Sequence, residues 1–150
     1  MNHEVKKELN NKGFSLMELI IVVAIMAVLI GVLAPQYLKY VEKSRESADL
    51  QAIDTMVSAI EIYAASNEVS GNLSCNTTGE LSSSTSILDA LKDAGLVKDA
   101  VTEIKLKSEK YGKKAWTITF SASEVSASDS DLAAALSIKS TEGAGGGGTE

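Results

Sequence analysis

Glu18 is the only ionisable side chain in the 21 residues from Phe14 to Ala34, and its setting defines the chemistry to be explained. A charged carboxylate at the centre of a membrane helix costs about 2.5–3.5 kcal/mol on insertion scales and generally marks a function. One turn inside the start of such a helix, the macrodipole favours an acid instead. Spacing suggests a further use. If the chain is cut after Gly13, the new α-amine on Phe14 stands four residues before Glu18, an i,i+4 pair in which amine and carboxylate neutralise one another within a chain or between neighbouring chains.

Other reactive groups are sparse. His3 is the only histidine and Cys75 the only cysteine, so imidazole catalysis, Ser-His-Asp triads and Cys/His zinc clusters lack their parts. The chain is therefore expected to be no enzyme and to carry no cofactor. A lone cysteine excludes an intrachain disulfide, and Cys75 in the polar stretch NLSCNTTGE reads as incidental. The formal net charge of -6 argues against a surface built chiefly for nucleic acid or anionic lipid. Lys105, Lys107, Lys110, Lys113 and Lys114 cluster near Tyr111 and Trp116, a combination able to contact phosphates and bases. Strand alternation alone places lysines on a solvated face, and that reading is preferred. Glu124, Asp129 and Asp131 gather in SASEVSASDSD; oxygen donors suit Ca²⁺, yet without regular ligand spacing an acidic loop is the simpler reading.

The elements that position Glu18 come next. A helix of 21 residues spans about 31 Å, close to the hydrocarbon thickness of a bilayer. Lys6, Lys7 and Lys12 favour a cytoplasmic amino end, although Lys39, Lys43 and Arg45 on the far flank make the bias slight. The apolar run exceeds that of an ordinary secretory signal, and Pro35 with a helical continuation replaces the expected cleavage loop. Pro35 should kink or loosen the helix. Beyond it Leu50, Ile53, Val57, Ile60 and Ala64 recur at three and four, a stripe able to cover a sheet, with Glu42, Glu46, Asp49, Asp54 and Glu61 on polar faces.

Asn67 to Ser86 reads as a connecting loop. Its triplets Asn72-Leu73-Ser74 and Asn76-Thr77-Thr78 match glycosylation acceptors, a pattern common by chance. Ser86 to Ala94 reads as a short helix capped by Ser86 and ended at Gly95, with Leu96 and Val97 in the core. Two strands are expected, one with Ile104 and Leu106 inward and one with Trp116, Ile118 and Phe120 inward, joined by a turn over 109–113. Leu132, Leu136 and Ile138 supply a further short helix or edge strand, with helix preferred. The Gly-rich segment 141–150 is expected to be flexible.

Gly13, Phe14, Glu18 and the apolar helix carrying Pro35 together resemble type IV prepilins and the related pseudopilins of type II secretion systems, closely over about residues 12–50. The resemblance implies an α+β, type IV pilin-like fold: a long N-terminal helix whose apolar half protrudes and whose amphipathic half packs on a small antiparallel sheet. It implies a leader over 1–13, a membrane and filament-core helix over 14–35, a globular domain over 36–140 and a tail over 141–150. A prepilin peptidase would cut between Gly13 and Phe14 and methylate the Phe14 amine, and Glu18 would pair with the N-terminus of a neighbour during assembly. The expected product is a pilus subunit that leaves the plasma membrane as a single-pass precursor and self-associates into a helical filament, served by an assembly platform and ATPase. A pseudopilin, or a single-pass anchored ligand-binding protein, is the alternative. DNA contact by the lysines would fit a competence pilus, and a calcium loop would fit a major pseudopilin.

Overall fold

The computed structural model describes residues 14–122 and 124–141. Gly13, the expected leader over 1–13 and the glycine run of the expected tail lie outside the described residues. The chain divides into two compact units, Met1–Lys39 and Tyr40–Glu150. Helix α1, Leu16–Ala64, continues without a break through Pro35.

In the first unit every large apolar side chain from Phe14 to Leu33 is exposed. An 18-residue window of α1 reaches a mean hydropathy of 3.0, long and apolar enough to cross a membrane. Among the described residues of this unit nothing covers that surface, as expected of a helix hydrophobic all round that meets lipid or other chains.

The second unit carries the core. Ile53, Met56, Val57 and Ile60 of α1 are buried, with Leu50 and Tyr63 partly so. The expected stripe holds except at its end, where Ala64 is exposed and Met56 is the added member. Asp49, expected on a polar face, is instead buried for a reason given below.

Five strands form one sheet in the order β2-β1-β3-β4-β5. They are β1 Gly71–Cys75, β2 Leu81–Ser83, β3 Trp116–Ser121, β4 Glu124–Ala127 and β5 Lys139–Ser140. Leu73, Cys75, Leu81, Trp116, Ile118, Phe120 and Ala127 turn inward and join the helical residues in one core. Ser74, Ser82, Asn72 and Thr119 alternate outward, the period of two that a sheet with one solvated face requires. The sheet is mixed rather than wholly antiparallel: β5 runs parallel to β4, because the intervening helix α3, Ser130–Leu136, returns the chain to the same end as a crossover must.

Several expectations change. The polar segment 67–86 is no loop, since β1 and β2 form a hairpin there. The alternating residues around Ile104 and Leu106 do not make a strand. They contribute a single bridge, Glu80 to Lys105, while the Leu106 N–H donates to the Gly79 carbonyl at 3.0 Å. The segment 109–113 therefore closes no hairpin. Helix α2 spans Thr85–Asp93 with Ser84, not Ser86, at its N-cap; the Ser86 hydroxyl donates to the Ser70 carbonyl at 2.7 Å. Gly95 follows at φ +70, the left-handed conformation a helix end favours. The acidic segment 121–131 contains β4, and both forms expected of the last apolar segment occur, as α3 and then β5.

Candidate assembly site at the start of the long helix

Ser15 precedes the first helical residue, and the backbone N–H groups there have no partner one turn back. The Met17 N–H donates to the Ser15 Oγ at 3.3 Å. The Ser15 N–H donates to Glu18 Oε2 at 2.9 Å. This pair is a variant of the capping box Ser-x-x-Glu: Glu18 reaches back to the Ser15 N–H, while the Ser15 hydroxyl takes the N–H of the second helical residue rather than the third. Glu18 thus sits at the third helical position, where the macrodipole favours its charge. Phe14, immediately before the box, is 91% exposed. Pro35 lies inside α1 and, having no N–H, leaves the Gly31 carbonyl without its usual helical donor.

Residues 9–34 match the family profile described as Prokaryotic N-terminal methylation motif. The chain is type IV pilin-like. A curated relative, the Type IV major fimbrial protein FimA of Dichelobacter nodosus, is 37% identical over 68 residues, covering 45% of this chain and 44% of the relative. The chain thus spans less than half the length of the curated relative it matches. No solved structure matches the chain.

In this pilin-like chain the five lysines of 105–114 lie on an irregular segment, and carboxylates meet three of them. Lys113 Nζ is 2.9 Å from Glu109 and Lys110 Nζ 3.8 Å from Asp131, while Lys114 pairs with Asp129. Lys105 sits opposite Glu80. Both aromatic neighbours are buried, and the Trp116 Nε1–H donates to the Tyr111 carbonyl at 2.8 Å. No exposed ring remains in the segment for a base to stack on, so the geometry supports a solvated, charge-matched surface.

The three acids do not converge as a ligand set. Glu124 pairs with Lys139 at 2.7 Å and Asp131 with Lys110. Asp129 caps α3, accepting from the Leu132 N–H at 2.8 Å. Burial alone would raise the Asp129 carboxyl, but Lys114 and the backbone donors outweigh it and hold it below the usual carboxylate range. Among the described residues no three His, Cys, Asp or Glu side chains form a group able to hold a metal ion. The Asp129 cap had a readable signal, an Asp three residues before the apolar run that opens at Leu132, with a second acid, Asp131, in the first turn.

Two further carboxylates of α1 do work that spacing alone did not reveal. Asp49 Oδ2 accepts from the Lys107 N–H at 2.8 Å and the Ser108 N–H at 2.6 Å. Glu42 Oε1 accepts from the Glu109 N–H. Successive N–H groups of a turn thereby face two acids about two turns apart on one side of the helix, and the Tyr111 N–H to Ser108 Oγ bond at 3.1 Å closes the turn. Cys75 is buried in the same core. Desolvation, and secondarily the Asp49 charge, push its thiol up to about 11, so it stays protonated and unreactive at neutral pH. Neither glycosylation triplet presents a loose asparagine: Asn72 lies in β1 paired to Thr119, and the Asn76 amide donates to Glu80 at 3.1 Å.

Proposed function

We propose that this chain is a structural subunit of a type IV pilus, made as a membrane-anchored precursor and assembled through its apolar helix. The carrying observation is the exposed apolar face of α1 headed by the Ser15–Glu18 box, within the stretch that matches the methylation motif. In this reading residues 1–13 are the leader, residues 14–35 the membrane and filament-core helix, and residues 36–140 the domain that coats the filament. A prepilin peptidase cuts between Gly13 and Phe14 and methylates the Phe14 amine, and Glu18 then pairs with that amine on a neighbouring subunit. Before assembly the helix crosses the plasma membrane once; afterwards burial of its apolar side chains, roughly 1.5–3 kcal/mol each, replaces the lipid. Pro35 provides the point at which the helix bends or opens during packing. Partners are other copies of the chain, the peptidase, an assembly platform and its ATPase. The fimbrial relative favours a pilus over the shorter pseudopilus.

N-terminal mass spectrometry of the chain from cells with an active peptidase tests this reading. Methylated phenylalanine at the terminus supports it, and an intact leader refutes it. Glu18→Ala should still be processed yet give few filaments by electron microscopy; filament yield equal to wild type would remove the proposed role of Glu18.

A further inference from the structure

We propose that Tyr37 and Lys39 form an interfacial anchor that seats in the lipid headgroup layer and, together with Glu18, sets the depth of the long helix before assembly. The inference rests on the membrane-anchored precursor proposed above. Between Glu18 and Lys39 the chain carries no charged side chain, and Gln36 is the first amide after the apolar run. Tyr37 follows it and is 67% exposed in the first unit. A phenol has an apolar ring and a hydroxyl that needs water, which is why tyrosine concentrates where acyl chains end and headgroups begin. Lys39, two residues on, has a long apolar stem and a charged tip able to reach phosphate oxygens from that level.

The spacing makes the anchor quantitative. Tyr37 lies nineteen residues after Glu18, a helical rise of about 28 Å against a hydrocarbon thickness of about 30 Å. With Tyr37 at one boundary, Glu18 and its capping box fall at the other, where water and headgroups solvate the carboxylate. Sliding the helix by one turn, about 5.4 Å, would put either the acid or the lysine into hydrocarbon. Two unrelated polar requirements, one at each end of the apolar run, therefore select one depth. That depth holds the Phe14 end at a membrane surface.

The test uses the full chain reconstituted into vesicles of phosphatidylcholine and phosphatidylglycerol whose acyl chains carry bromine either near the headgroup or near the chain end. Trp116 is buried in the core of the second unit, and its constant emission is removed by subtracting the wild-type signal. The added indole in Y37W should be quenched at least about twofold more strongly by shallow than by deep bromine, with the order reversed in Val28→Trp, the position midway along the span. Equal quenching in Y37W and V28W, or quenching of Y37W by aqueous acrylamide alone, would overturn the anchor while leaving the membrane span intact. Failure of the chain to enter vesicles at all would overturn both.

Discussion

Removing the Asp49 carboxylate should cost the globular unit a large part of its stability, and the size of the loss follows from what its two donors are left facing. In Asp49→Ala the Ser108 N–H loses its acceptor inside a fully buried residue, whereas Lys107 is exposed and water can replace the lost bond. A hydrogen bond to a charged acceptor contributes about 1.5–3 kcal/mol, and an orphaned buried donor costs about 1–3 kcal/mol. The Ser108 bond thus accounts for most of an expected loss of about 3–5 kcal/mol, with a smaller share from Lys107. Asp49→Asn keeps one neutral acceptor oxygen and should lose about 1–2 kcal/mol. Glu42→Ala, which removes a bond at an exposed donor, should lose about 1 kcal/mol or less.

Trp116 is the only tryptophan and is buried in this unit, so its fluorescence follows unfolding in urea with the chain held in mild detergent. At a slope of about 1.5 kcal/mol per molar, the Asp49→Ala midpoint should fall by about 2–3 M. Cys75 supplies an independent readout, because its buried thiol should resist alkylation in the wild type and react as the variant opens. An Asp49→Ala midpoint within about 0.5 M of wild type, at an unchanged slope, would refute the claim that this carboxylate fastens the turn.

Gly112→Ala should destabilise by about 1–3 kcal/mol through overpacking, since a Cβ there would stand 2.7 Å from the Leu106 carbonyl carbon and 2.9 Å from the Lys107 nitrogen, both backbone atoms that cannot step aside; a midpoint equal to wild type in the same urea assay would contradict the close approach. Acid should unfold this unit partly through Asp129, whose folded carboxyl is held below its unfolded value. The stabilisation is then complete above the unfolded pKa of about 3.9 and is lost as pH falls through the lower folded value. Asp129→Asn keeps an N-cap residue but removes the titration, so its stability should fall less steeply than wild type below about pH 4. Identical acid slopes for the two proteins would assign the loss to other carboxylates.

The elements legible in the sequence were those whose apolar pattern is long: the span, the stripe through Ile53, Val57 and Ile60, strand β3 and helix α2. The hairpin of β1 and β2 was hidden because its inward face needs only Leu73, Cys75 and Leu81, while serine and asparagine fill the outward face and imitate a loop. Residues 104–107 erred the other way. Their alternation is genuine, with Leu106 buried and Lys105 and Lys107 exposed, but their backbone bonds go to Gly79 and Asp49 rather than to a ladder. Alternation reports which side of a chain is dry, and a segment pinned by side-chain carboxylates satisfies it as well as a strand does. Asp49 was unreadable for a related reason: nothing in its neighbours shows that a turn 58 residues away will present two N–H groups to it.

Glu18 shows the opposite case, a signal present in four consecutive letters. Ser15-Leu16-Met17-Glu18 is a capping-box pattern, and the box bears on how one acid can serve both the precursor and the filament. At mid-membrane the charge would cost about 2.5–3.5 kcal/mol. At the helix start it accepts the Ser15 N–H and meets the positive end of the dipole; capping contributes about 0.5–2 kcal/mol and the dipole about 0.3–1 kcal/mol. Those gains are available before any amine is near, so the precursor needs no partner chain to hold Glu18 at the helix start. The Ser15 bond engages Oε2, and a carboxylate has a second oxygen to offer. Cutting after Gly13 would replace a neutral peptide by a cation one residue before the box. On the proposed route, cleavage therefore does not have to rescue a badly placed acid; it supplies a charge for which an oriented acceptor is already in position.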